Sequence, residues 1–368
     1  MNSGRPVLHP RLGALSFPAS PSPGEPDLVP DPAIRRLHLN ESPLPPSPRV
    51  VEAVAAAVRH VGYYPDHTCT ALAGRLSRLT GVPAECMSFG NGSGELLVAG
   101  ALATVGPGDE AVLPTPTFPT CGKGVQIAGA RAVEVPVRDD GVVDVEATLA
   151  AIGPRTRLVY VCTPNNPTGG ALTREELDAL VRGVPDDTLL LVDEAYHEFA
   201  VFAGAPDALD ALRGRRGPWA VTRTFSKAFS LAGLRVGYVL ASERDVADAF
   251  WKLRPNFNVG RVALAAACAA FDDADYGAAI VRSVSLERER LAGGLRALGL
   301  RVLPSATNFV MTLPDAPAAE LARALGARGL TVQAMPWRGG SALRISVGTA
   351  EDTDAVLAGL RAALPETV

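Results

Sequence analysis

Short apolar runs alternate with amphipathic stretches through the middle of this chain. Apolar runs of four to six residues stand at 110–113, 132–137, 158–162, 189–192, 219–223 and 236–240. Runs this short, rich in β-branched residues and bounded by turn formers, predict buried strands. Between them, 121–128, 145–152, 174–182 and 207–212 read as helices. Strands alternating with helices predict a mostly parallel sheet covered on both faces: an α/β fold. Ahead of this region, Val50, Val54, Ala57, Val58 and Val61 fall near helical spacing and predict a helix over 49–60. Further helices are expected at 70–79, ended by Gly81 and Pro83, and at 96–104.

Beyond residue 241 the pattern changes. Helices are expected at 244–253, 261–271, 276–298 and 353–363, with short strands near 309–313, 330–332 and 343–347. This describes a second, smaller α+β unit. The 368 residues exceed what one core usually serves. The expected division is a Pro-rich arm at 1–34, a large domain at 35–255 and a small domain at 256–368. The first segment of the large domain, about 35–48, is expected to join the small one. Prolines from Pro43 to Pro48 break regular structure and leave Asn40 in an extended segment.

Composition narrows the class. Apolar residues make up 47%, charged residues 20%, and the net charge is −4 without basic runs, which argues against a nucleic-acid partner. No apolar stretch approaches the length of a membrane span, and residues 1–32 lack the apolar core of a secretory signal. The five cysteines (Cys69, Cys86, Cys121, Cys162, Cys268) are scattered and odd in number, and the five histidines show no ligand spacing. Free thiols in a reducing cytoplasm and no metal site are the expectation.

The chemistry centres on Thr224-Phe225-Ser226-Lys227-Ala228, with Arg235 eight positions after the lysine. A lysine among apolar neighbours loses solvation, which lowers its pKa and frees the amine for a Schiff base with a carbonyl. Hydroxyls at Thr224 and Ser226 and the Arg235 guanidinium suit a phosphate. A carbonyl and a phosphate on one small molecule describe pyridoxal 5′-phosphate (PLP). Gly92-Ser93-Gly94 precedes a helix, whose exposed N–H groups and dipole suit an anion. Two more loops follow apolar strands, where open α/β sheets place ligands. Pro164-Asn165-Asn166-Pro167-Thr168-Gly169 can present Asn166 to a phenolic oxygen. Asp193 ends a buried strand, a costly place for a carboxylate without a cationic partner. A protonated pyridine is such a partner, and Tyr196, three residues on, can donate to the ring oxygen.

With these motifs in order, the sequence resembles the fold-type I PLP-dependent aminotransferases, and within them the histidinol-phosphate aminotransferase branch. The shared motifs also include Asn40-Glu41-x-Pro43, Tyr64-Pro65-Asp66, Gly90-Asn91-Gly92-Ser93, Arg254-Pro255-x-Phe257-Asn258-Val259 and Leu343-Arg344-Ile345. The resemblance covers roughly residues 35–360 and implies a mostly parallel sheet of the seven-stranded type with a smaller α+β domain. It implies that Lys227 forms the Schiff base and shuttles the Cα proton, and that Asp193 pairs with the pyridine nitrogen. It implies further that Asn166 and Tyr196 hold the 3-oxygen, and that Gly92, Ser93, Gly94, Thr224, Ser226 and Arg235 hold the phosphate. Phe118 matches the aromatic that stacks on the ring, with a core phenylalanine as the competing reading. Tyr64 matches a tyrosine given to the neighbouring subunit's phosphate, so a homodimer with shared sites is implied; local turn packing competes. Arg344 would grip a substrate carboxylate, and Asn40 would close over the substrate.

The pattern departs from the branch at three places. Leu44 stands where a tyrosine is usual, Gln333 where an arginine grips the substrate phosphate, and Gly94 where Asp or Ala is usual. The resemblance implies ping-pong amino transfer from an amino substrate to a 2-oxo acid such as 2-oxoglutarate, and Leu44 and Gln333 together predict that the amino substrate is unphosphorylated, aromatic or other. Arg254 and Arg338 are the candidates to replace the lost charge. The alternatives are a PLP-dependent decarboxylase of the threonine-phosphate type, a specialised-metabolism PLP enzyme on the same scaffold, and a PLP-binding regulator or non-catalytic fold.

Overall fold

The computed structural model describes residue 31 and residues 33–364, so most of the arm expected at 1–34 lies outside the described residues. Thirteen strands are numbered along the described chain. After β1 (Arg35–Arg36) come β2 (Met87–Gly90), β3 (Glu110–Thr115), β4 (Arg131–Pro136), β5 (Thr156–Cys162), β6 (Leu189–Asp193), β7 (Trp219–Thr224) and β8 (Gly237–Ala241). Strands β2 to β8 form one seven-stranded sheet in the order β2-β8-β7-β6-β5-β3-β4. Four of its six pairings are parallel; β8 runs antiparallel to both its neighbours. The parallel strands are apolar on both faces because helices cover both, giving two separate cores. One includes Val159, Val161, Val192 and Val221; the other includes Leu158, Tyr160, Leu191 and Ala220.

The smaller unit is a four-stranded antiparallel sheet, β12-β13-β10-β9, from β9 (Arg301–Val302), β10 (Phe309–Leu313), β12 (Gln333–Trp337) and β13 (Gly340–Ser346). Helices Ala274–Ala297, Ala318–Gly326 and Ala350–Ala363 pack with it around Leu295, Val310, Leu325, Leu343 and Leu360. Strand β1 pairs in parallel with β11 (Leu330–Thr331), and Leu37 enters this core, so the N-terminal segment is tied to the small unit.

Three expectations are changed by packing. The helix Arg261–Asp272, assigned by sequence to the 256–368 domain, places Ala263, Ala266, Ala267 and Ala270 in the large core. Strand β2 was not anticipated, since Met-Ser-Phe-Gly has no β-branched residue and becomes a strand by pairing along β8. The expected strand 330–332 divides at Val332: β11 pairs with β1, whereas β12 pairs with β13. Among the described residues, no helix is long and apolar enough to cross a membrane.

Candidate active site

A cavity of about 750 Å³ lies where the carboxyl ends of the parallel strands face the small unit. Open α/β sheets bind ligands at this edge, because several loops converge there and each is aimed by a rigid strand. Thr224, Ser226, Lys227 and Arg235 line it from the β7–β8 loop; Asp193 and Tyr196 line it from the end of β6. Asn166 and Phe118 enter from two further loops, Ser93 and Gly94 from the start of a helix, and Asn40 and Arg344 from the small-unit side.

The lysine loop is held by its apolar neighbours. Phe225 is fully buried among Phe229, Tyr238 and Phe271 with ring centroids 5.0–5.8 Å apart, so the next residues turn back toward the cavity. Lys227 Nζ donates to the backbone oxygens of Leu39 (3.2 Å) and Asn40 (2.9 Å). Those acceptors suit an ammonium. Burial, the nearby Arg344 guanidinium and Arg235 disfavour it, and despite Glu41 the lysine is lowered to about 8.

Asp193 is 1% exposed and receives neutral side-chain donors: Thr222 Oγ1 at 3.0 Å, Tyr160 OH at 3.3 Å and, more distantly, Cys162 Sγ at 3.9 Å. Burial pushes its carboxyl up to about 6 against these hydrogen bonds. A buried carboxylate with no cation bound and an edge on a cavity is what a pyridinium N–H would complete. Its neighbour Glu194 is held by Arg223 (2.7 and 2.9 Å), which also pairs with Asp207 (2.5 Å). Burial would raise Glu194, but Arg223 and His197 hold it at about 2. Glu194, His197 and Asp207 lie close enough to ligate an ion, yet Arg223 already satisfies both carboxylates.

The phosphate cradle has the features of an anion site. The 12-residue helix Ser93–Thr104 starts after Gly92, whose φ of +77° strongly favours glycine. A Cβ at Gly92 would collide with the Arg235 guanidinium, and one at Gly237 would come within 2.5 Å of Ser93 N. Both glycines thus keep the helix N-terminus and Arg235 together. Arg235 donates to Ser226 Oγ at 3.3 Å, and Thr224 Oγ1 to Ser226 Oγ at 2.9 Å. Glu95 accepts from Asn91 N (2.6 Å) and Asn258 Nδ2 (2.7 Å), which braces the cradle from behind.

Arg344 projects from β13 and is 8% exposed. It donates to Asn166 Oδ1 and to the His38 backbone oxygen, both at 2.6 Å. Its buried Nε has no hydrogen-bond partner, a donor available to a carboxylate. Asn40 Nδ2 donates to Tyr196 OH at 2.9 Å. Asn40 is not extended as expected: its φ is +55°, a conformation asparagine tolerates and Ser346 and Asn308 secure. Phe118 lines the cavity and also packs against the second core, so both sequence readings describe part of its surroundings.

Tyr64, Leu44, Arg254 and Arg338 lie outside the cavity of this subunit. Tyr64 is 78% exposed, stacks on Phe257 at 4.6 Å and does not line the cavity. Leu44 packs with Phe199, Ala228 and Val347 away from the cavity, whereas Gln333 lines it. Neither candidate arginine replaces the lost charge: Arg254 is engaged with Asn258 and the His67 oxygen, and Arg338 with Asp139. Sequence reading missed Tyr160, Thr222, Asn308 and Ser346, which hold functional side chains without lining the cavity. The alternation of Tyr160 and Cys162 toward one face of β5 was the available signal.

A mostly parallel sheet, strand-end loops and a smaller α+β unit around such a site define a fold-type I transferase. A model of the aminotransferase class I and II family matches residues 34–360. The chain is similar to an aromatic amino acid aminotransferase of Streptomyces coelicolor, 40% identical over 335 residues, 91% of this chain and 92% of that one. It is also similar to histidinol-phosphate aminotransferase 2 of Carboxydothermus hydrogenoformans, 39% identical over 318 residues, 86% and 87% of the two chains. The crystal structure of histidinol-phosphate aminotransferase from Sinorhizobium meliloti in complex with PLP superposes with a TM-score of 0.82 at 33% identity. That match covers 89% of this chain and 90% of that one. The chain belongs to the aminotransferase class I and II family, in its histidinol-phosphate aminotransferase-like branch. These relatives are transaminases, which favours amino transfer over the decarboxylase alternative.

Proposed function

We propose that this cavity binds PLP and transfers the amino group of an unphosphorylated amino acid, aromatic or apolar in its side chain, to a 2-oxo acid. When bound, PLP supplies an electron sink for the substrate Cα. Asp193 would keep the pyridine nitrogen protonated, Asn166 and Tyr196 would hold the 3-oxygen, and Phe118 would lie against the ring. Ser93, Gly94, Thr224, Ser226 and Arg235, with the Gly92 turn, would hold the phosphate. Lys227 would hold the carbonyl carbon until an amino substrate replaces it, and its freed amine would then move the Cα proton. Arg344 would orient the substrate through its α-carboxylate, with Asn40 closing above.

One observation carries the substrate assignment. The described Lys and Arg side chains on the cavity are Lys227, Arg235 and Arg344, and each already has a role. Beside Arg344 the small-unit wall carries Val332, Gln333 and Met335, so among the described residues of this subunit no further Lys or Arg faces a phosphate on the substrate. Charged hydrogen bonds to a phosphate contribute about 1.5–3 kcal/mol each, so their absence changes preference by an order of magnitude or more. The kcat/KM for phenylalanine is expected to exceed that for histidinol phosphate by at least about tenfold. A preference for histidinol phosphate sinks the assignment.

The functional unit in this reading is a homodimer in the cytoplasm. Tyr63 and Tyr64 project into solvent beside Val58 and Val61, all more than half exposed. A second copy covering this patch would place Tyr64 near the partner's phosphate site. Sedimentation of the loaded protein is expected to show a dimer; a single-chain species at micromolar concentration contradicts it.

A further inference from the structure

Asp193 is the group on which the proposed chemistry turns, yet it has no fixed charge of its own to hold it. Its side chain is oriented by two hydroxyls that never reach the cavity. The parallel register of β6 and β7 sets Thr222 directly opposite Asp193, and Thr222 Oγ1 donates to Oδ1 at 3.0 Å. On the other side, the β5–β6 register pairs Cys162 with Asp193. Tyr160, two residues earlier on the same face of β5, donates its OH to Oδ2 at 3.3 Å. Each carboxylate oxygen therefore has one hydroxyl, and both hydroxyls are fully buried with their residues at 0% exposure. Tyr160 otherwise lies among apolar side chains of the second core, where a phenylalanine would pack as well.

We infer that Tyr160 and Thr222 form a clamp that positions the Asp193 carboxylate toward the cofactor ring and keeps it ionised there. They are positioning residues: neither touches the cavity, and both act through Asp193. Carboxylates gain most from donors they need not share with water, so a clamp at 0% exposure works where hydration is absent. The surrounding titratable groups are Cys162 on β5, Glu194 and Tyr196 after β6, and Cys121 on the helix Thr120–Ala128. The thiols are pushed up by burial and stay neutral, and Glu194 is matched by Arg223. None of these supplies a hydrogen bond that could replace the clamp, apart from a long contact of Cys162 Sγ to Oδ2 at 3.9 Å.

The inference rests on the PLP reading, and the test separates the two. The holoenzyme and its Tyr160→Phe, Thr222→Val and Thr222→Ser variants would be compared, with Asp193→Asn as reference. Two quantities are read: the PLP dissociation constant, and the pH at which the visible band of the bound cofactor changes. Losing one charge-assisted hydrogen bond weakens PLP binding about tenfold in Tyr160→Phe and in Thr222→Val. With less positive charge on the ring nitrogen, the nitrogen linking Lys227 to the cofactor holds its proton to higher pH. The band midpoint therefore moves up in both variants, while Thr222→Ser stays at the wild-type values. Thr222→Val alone decides if Tyr160→Phe fails to fold. Wild-type values for both quantities in the folded hydroxyl-deleted variants overturn the clamp. An Asp193→Asn protein indistinguishable from wild type would overturn the PLP reading instead.

Discussion

Lys227→Ala is expected to lower kcat for amino transfer by about four orders of magnitude, because one amine performs the covalent capture and the proton transfer. The variant should still fold, since the loop is anchored by Phe225 rather than by Lys227. Single-turnover absorbance with PLP and phenylalanine measures the loss; a variant within tenfold of wild type would remove Lys227 from the mechanism. The same amine predicts a pH dependence in the cofactor-free protein. Only the neutral amine attacks a carbonyl, and burial with Arg344 and Arg235 lowers Lys227 to about 8. Capture of added PLP should therefore accelerate as pH rises through about 8 and level off above it. An ordinary exposed lysine would still be accelerating past pH 10.

Arg344→Ala is expected to reduce kcat/KM for both half-reactions, since amino donor and 2-oxo acceptor each present an α-carboxylate. A bidentate grip consists of two charge-assisted hydrogen bonds at about 1.5–3 kcal/mol each, about 3–6 kcal/mol together. That corresponds to a loss of about a hundredfold to ten-thousandfold. Arg344→Lys should recover only part of it, because an ammonium restores the charge without the planar fork. Removing the guanidinium also leaves Asn166 Oδ1 and the His38 oxygen without their donor. Steady-state rates with varied donor and varied acceptor test this; a loss under tenfold in both halves would deny Arg344 its role.

Much of the large domain was legible because buried parallel strands must be apolar on both faces, which leaves an unmistakable run in the sequence. Asp193 stood out for the same reason: a carboxylate closing Leu189-Leu190-Leu191-Val192 breaks the apolar rule. Lys227, Arg235, Asn166 and Arg344 were legible through residue type and motif spacing. Strand β2, and the core that the helix Arg261–Asp272 joins, were not legible, because edge pairing and choice of core depend on partners distant in sequence.

The local pattern by itself predicted the α/β fold and a lysine, a buried carboxylate and an anion loop at strand ends; the family resemblance added the roles proposed for the remaining side chains. The local predictions follow from burial, charge and turn geometry within a few residues. Only the tertiary structure decided which groups meet. It removed Leu44, Arg254 and Arg338 from the substrate question, left Gln333 in it, and brought Tyr160 and Thr222 onto Asp193. Those outcomes depend on strand register and on which core each element joins, and register is set by the summed packing of both faces of a sheet rather than by any single segment.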